Sequence, residues 1–243
     1  MDHLTFVLVH GNWHNGSAWT GVVERLQRHG HVAHAPTVAG HGQHTDKRVS
    51  ITDCAQSVAE HIVANDLSDV VLVAHSGGGT WVAKAAEQVS DRLRRLVFCN
   101  AFVLYDGENQ EDNVAPSIRG MLAQLAAATT DNTMVLPFEI WREAMINDAD
   151  LALARTTYAQ LSPEPHQMFT ERVDLKTFWT LPIPKSYLHC TDDVILMPDQ
   201  WSWHPRMSNR LGMYRYLSMP GSHEVMLTNP VGLADKLIEA GRD

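Results

Sequence analysis

The chain has 243 residues, 44% hydrophobic and 19% charged, enough apolar surface for one sizeable core and no compositional basis for disorder. Its net charge of -9 reads as solubility and argues against a nucleic-acid partner, which would need a concentrated basic surface. Cys54, Cys99 and Cys190 are too few for a disulfide framework, no apolar run reaches roughly 18 residues, and MDHLTFVLVHG lacks the basic leader of a signal peptide, so a cytoplasmic chain without a membrane partner is expected.

The first predicted strand is TFVLVH (5–10). From Trp19, the apolar residues Trp19, Val22, Val23 and Leu26 recur at helical spacing, with Ser17 as expected N-cap and Gly30 as the stop. HVAHAP (31–36) is the second strand, and Ile51, Ala55, Val58 and Ile62 mark a second helix behind Ser50 or Thr52. VVLVAH (70–75) and RLVFCNA (95–101) are near-continuous apolar runs, as suits strands covered on both faces of a parallel sheet. From about 102 to 180 the alternation breaks: MLAQLAAATT, FEIWREAMIND and LALARTTYAQL read as helices, with no strand-like run between them. After Pro182 and Pro184 the rhythm returns with KSYLHC (185–190), MYRYLS (213–218) and a helix from Asn229-Pro230 to Ala240. The expectation is an α/β fold: a doubly wound, mostly parallel sheet of about six strands with helices on both faces. Residues 1–101 and 182–243 would form the core and 102–181 an inserted helical cap.

Ser76 stands between a strand and three glycines. Ala74 and Gly78, two positions to either side, are small, as a tight strand-to-helix turn demands; this is a G-x-S-x-G elbow with Ala in first place. Such a turn lifts the hydroxyl off the sheet edge and aims the Gly77 N–H from a helix N-terminus. A phosphate loop is the competing reading, but no G-K-[ST] follows and Val82 breaks G-x-G-x-x-G. The blandest reading is an incidental serine in a glycine-rich loop, so partners decide. An acid and a base follow in the order Ser, Asp, His: Asp192 and Asp193 end the KSYLHC strand, and His223 lies after the last one. Both places are carboxyl ends of strands, where open α/β sheets collect ligands.

Through LVHGNWHNGSAW, AHSGGG, HCTDDVILMP and SHEVMLTNP the chain resembles the α/β-hydrolase superfamily over essentially its whole length. Within it, the chain is most similar to the small methylesterase and hydroxynitrile-lyase branch and to compact bacterial carboxylesterases. The resemblance implies Asp193 rather than Asp192 as the acid, although this chain has one extra residue before Pro198; Asp106 is a more distant alternative. It also implies that the residue after His-Gly, here Asn12, supplies a second oxyanion N–H beside Gly77. Members usually carry a small or apolar residue there, so Asn12 is a departure whose side chain either adds a donor or points away. His10 and His14 more often shape such a loop than act, and His14 is kept as a substrate contact.

In this scheme His223 takes the Ser76 proton and Asp193 fixes its tautomer, with no cofactor. No metal is expected, because the histidine-rich stretches lack H-E-x-x-H or comparable ligand spacing. Lyases of the branch usually carry Thr where Gly11 stands and Lys where Glu224 stands, and a carboxylate there opposes cyanide departure. Ser76 disfavours the epoxide hydrolases and dehalogenases, which carry Asp at the elbow. A cofactor-independent lyase or dioxygenase and a hydrolase-fold ligand receptor are the alternatives to a serine esterase. The aromatic and apolar residues Phe138, Trp141, Met145, Tyr158, Phe169, Phe178, Trp179, Met197, Trp201 and Trp203 either line an apolar pocket or pack the cap. Trp13, His14, Trp81, Trp141 and Trp179 are the expected substrate contacts. The expected partner is a small apolar molecule, an ester, lactone or thioester; a homodimer is left open.

Overall fold

The computed structural model describes residues 3–44, 46–196 and 200–242; Met197, named above, lies outside them. Strand β1 (Thr5–Val9) leads through a 3-10 turn (Gly16–Trp19) into α1 (Thr20–Arg28) and then β2 (Val32–His34). The cap expected at Ser17 is corrected: the Asn15 side chain accepts the Ser17 N–H at 2.9 Å from an extended backbone, so Ser17 already lies inside the turn. Gly30, at a φ of 81°, takes the left-handed conformation that ends α1. Helix α2 (Ile51–Ala64) opens on a capping box in which Ser50 and Asp53 exchange side-chain to backbone hydrogen bonds, which selects Ser50 over Thr52.

Strand β3 (Val70–Ser76), helix α3 (Gly78–Ala86) and strand β4 (Leu93–Ala101) follow, and then a long insertion begins. It contains α4 (Pro116–Ala127), β5 (Thr133–Met134), α5 (Phe138–Ile140) continuing as a π turn (Trp141–Met145), α6 (Leu151–Tyr158), β6 (Glu164–Pro165) and α7 (Gln167–Thr170). The insertion was expected to hold no strand; β5 and β6 correct this, pairing antiparallel with Thr133 opposite Pro165 and Met134 opposite Glu164. Strands of two residues are too short to carry a period-two pattern. Strands β7 (Lys185–Cys190) and β8 (Arg215–Met219), then helices α8 (Val225–Thr228) and α9 (Pro230–Gly241), complete the fold, with the Asn229 side chain capping α9 ahead of Pro230.

Six strands form one parallel sheet in the order β2-β1-β3-β4-β7-β8. Alternation divides its side chains between two cores. Val7, Val9, Leu72, Ala74 and Phe98 pack with α2, α3 and the insertion, whereas Phe6, Leu8, Val71, Val73 and Val97 pack with α1 and α9. Each fully buried Val, Leu or Phe contributes roughly 1.5–3 kcal/mol, so the sheet sandwiched between two apolar layers is the stable frame. Winding reverses between β1 and β3, which places the loop after β1 beside the end of β3 at the carboxyl edge of the sheet.

Candidate active site

At that edge β3 ends on Ser76, whose φ of 52° is left-handed and costs a non-glycine residue roughly 1–3 kcal/mol. Neighbours enforce it. The Ser76 carbonyl accepts the Phe102 N–H at 3.0 Å, and a Cβ on Gly78 would run into the His10 carbonyl, so only glycine lets the β1 loop and α3 approach. A Cβ on Gly11 would lie 2.7 Å from the Ser76 Cβ, which explains glycine there as well.

Ser76 Oγ lies 2.9 Å from His223 Nε2, and His223 Nδ1 lies 2.6 Å from Asp193 Oδ2. Asp193 is further held by the Asn100 side-chain N–H at 2.6 Å and by the Ile195 N–H at 2.9 Å. Burial alone would lower the His223 imidazole, but the Asp193 charge and hydrogen bond, with Glu224 behind, raise it above its ordinary 6.5. The ring stacks on Trp203 at 5.4 Å between centroids, and its backbone carbonyl is held by His75 Nε2 at 2.9 Å. Burial first, and the His223 charge second, depress His75 to about 3, so it is neutral and donates from Nε2. Asp192 is exposed and accepts the Gly221 N–H at 2.8 Å, while exposed Asp106 accepts the Leu175 N–H at 2.9 Å; both serve loop structure.

Among the described residues the backbone N–H groups of Asn12 and Gly77 donate to no group within the chain. Asn12 turns its side chain away, donating from Nδ2 to Gln110 Oε1 at 3.0 Å; Gln110 in turn donates to Thr80 Oγ1 at 3.1 Å. Beside Asn12 and the Ser76–His223 pair opens an apolar cavity. Trp13, Phe102, Ile118, Leu122, Leu136, Met145, Phe169, Leu196 and Trp203 are among its lining residues, and no described Asp, Glu, Lys or Arg lines it.

Of the expected substrate contacts, Trp13 lines this cavity and four others do not. Trp81 is fully buried against His10 and His41, at 5.6 and 4.6 Å between ring centroids, because it faces inward from α3. Trp141 is fully buried too, with its indole N–H on the Ala154 carbonyl at 2.9 Å. Trp179 packs on Tyr105 and Phe178. His14 Nε2 lies 2.9 Å from Glu224 Oε2, both side chains buried. Burial would raise the Glu224 carboxyl, yet His14, then His75 and His223, hold it down to about 2. His75, His223 and Glu224 bring three potential metal-ligating atoms within 4.8 Å, but both His223 nitrogens already face Asp193 and Ser76. The sequence reading missed Asn100 and Gln110, which are ordinary amides until the fold brings them to the site. It also missed much of the apolar lining, whose residues look like core.

The model of the alpha/beta hydrolase family matches residues 6–236. An extracellular alpha/beta-hydrolase from a Paenibacillus species, described as sharing structural and functional homology with tobacco salicylic acid binding protein 2, superposes with a TM-score of 0.96 at 37% identity, covering 99% of this chain and 100% of that one. A carbendazim hydrolyzing esterase of Nocardioides sp. is 36% identical over 107 residues, a match that spans 43% of this chain and under half, 44%, of that enzyme's length. Methylesterase 2 of Arabidopsis thaliana is 25% identical over 82% of this chain and 81% of that one. The chain belongs to the alpha/beta hydrolase family, on its methylesterase branch, and is a carboxylesterase-like hydrolase.

Proposed function

We propose that the chain is a serine hydrolase that cleaves a carboxylic ester, lactone or thioester with an apolar or aromatic part through an acyl-enzyme on Ser76. The observation that carries this reading is the hydrogen-bonded line from Ser76 through His223 to Asp193, at 2.9 and 2.6 Å, opening on a cavity that no described charged residue lines. His223 Nε2 takes the hydroxyl proton as Ser76 Oγ adds to the substrate carbonyl, and Asp193 stabilises the imidazolium. The oxyanion is received by the N–H groups of Asn12 and Gly77, each worth roughly 3–4 kcal/mol in the transition state. His223 then gives its proton to the departing alcohol or thiol. Water, deprotonated by the same ring, adds to the acyl-enzyme and releases the acid. Trp13, Phe102, Phe169 and Trp203 favour an apolar acyl group over a charged one.

Esterase names among the relatives support the same bond class. Glu224 stands where lyases of the branch usually carry Lys, it is buried against His14, and no described Lys or Arg lines the cavity to take up departing cyanide, which disfavours the lyase alternative. In the same reading residues 102–181 act as a cap over the site. Three buried free cysteines favour a reducing compartment, so a cytoplasmic location is kept as the proposal although the Paenibacillus relative is extracellular; cell fractionation tests it. Light scattering tests whether a homodimer forms. A panel of p-nitrophenyl and methyl esters of varied acyl size tests the chemistry: turnover is expected to favour apolar acyl groups and to vanish in Ser76→Ala, and full turnover by that variant contradicts the proposal.

A further inference from the structure

Trp13 follows Asn12, the proposed oxyanion donor, and sits at a φ of 64°, a left-handed conformation that a bulky residue keeps only when its surroundings impose it. Those surroundings come from the insertion. The Trp13 N–H donates to Glu164 Oε2 at 2.7 Å, its carbonyl accepts the Ser162 N–H at 2.9 Å, and its indole N–H donates to the Met134 carbonyl at 2.9 Å. Met134 and Glu164 are paired residues of the β5–β6 ribbon, so the ribbon grips one residue of the β1 loop at two points and Ser162, just ahead of β6, grips it at a third.

Glu164 is the unusual member, a carboxylate with no exposed surface, 151 positions from Trp13 in sequence. His41 Nε2 lies 3.1 Å from each of its two oxygens, giving the carboxylate a second buried partner. An unpaired buried carboxylate would be costly, and this one is satisfied by an imidazole and a backbone amide of the catalytic loop.

We propose that Glu164 is a positioning residue for the oxyanion hole: its carboxylate fixes the Asn12–Trp13 peptide, and that anchored peptide restrains the orientation of the preceding Gly11–Asn12 peptide, whose N–H is the proposed oxyanion donor. Glu164 does not line the cavity and acts on substrate only through this loop. The proposal rests on the serine-hydrolase reading. It also gives the ribbon a purpose that its two-residue strands lack as isolated structure, since it ties a catalytic donor on the sheet to the wall of the substrate cavity.

Three variants test it. Glu164→Gln keeps the length and an acceptor oxygen for the Trp13 amide, and its NH2 can turn to a His41 ring nitrogen that accepts. Glu164→Asp keeps the charge but withdraws the oxygen, and Glu164→Leu removes the acceptor. With a p-nitrophenyl ester, kcat is expected to stay within about threefold of wild type for Gln and to fall at least tenfold for Asp and on the order of 10²-fold for Leu, with KM changed less than about threefold. A trifluoromethyl ketone, which forms an oxyanion on Ser76, should lose affinity in parallel with kcat/KM, while an amide analogue of the ester should bind unchanged. If Asp or Leu fails to fold, the other carries the comparison against Gln. Wild-type kcat in Glu164→Asp and Glu164→Leu, or equal losses of ketone and amide affinity, overturns the positioning role. If wild-type Ser76 is never acylated, the hydrolase reading falls first, whatever the Glu164 variants do.

Discussion

The carboxyl edge of the sheet and the insertion between β4 and β7 both surround the same hydroxyl, yet they constrain it by different physics. At the sheet edge the constraint is steric and local: glycine at 11 and 78 lets the β1 loop close in on the bent Ser76, where a Cβ at either position would collide with its neighbours. In the insertion it is polar and distant, through Glu164 on the Trp13 amide and an apolar wall of which Leu122, Leu136 and Met145 are part. In the proposed mechanism the frame places the reacting groups, and the insertion tunes and selects. Damage to the first should therefore abolish chemistry, and damage to the second should grade it.

The sharpest break is at the elbow. Ser76→Ala should lower kcat on the order of 10⁶-fold while leaving the unfolding midpoint near wild type, measured by steady-state kinetics beside thermal melts. Next, Asp193→Asn should cost on the order of 10⁴-fold, because the wrong His223 tautomer would then face Ser76, whereas Asp192→Asn should cost less than about tenfold; the reverse ranking transfers the acid role. On the insertion side, Trp141→Ala should act on stability, losing roughly 3–5 kcal/mol in denaturant unfolding for a fully buried indole, with a much smaller effect on chemistry per folded molecule. The mildest effect is on pH. His223 is raised above 6.5, its protonated form is inactive as a base, and so kcat/KM should fall on the acid side with a midpoint above pH 6.5. Removing the Asp193 charge should move that midpoint down, and a profile flat to about pH 4 contradicts the role of His223.

The same division explains what could be read from the chain. The strands β1, β3 and β4 were legible because each is a near-continuous apolar run between turn residues, and the elbow because Ala74 and Gly78 are small on either side of Ser76. Choosing Asp193 over Asp192 needed the resemblance, since two adjacent carboxylates at a strand end differ only in direction: one meets His223 and Asn100, the other solvent and Gly221. Trp81, Trp141 and Trp179 were expected at substrate because aromatic residues suit both pockets and cores, and composition does not separate the two. Asn100 and Glu164 carried no local signal at all, because each acquires its meaning from a partner about 90 or more positions away.

Treatment of the purified protein with a fluorophosphonate, followed by peptide mass spectrometry, reports on whether Ser76 is an activated nucleophile. A single phosphonyl adduct on Ser76 is expected in wild type and is expected to be lost in His223→Ala. An unmodified Ser76, or an adduct that forms equally well without His223, contradicts that activation.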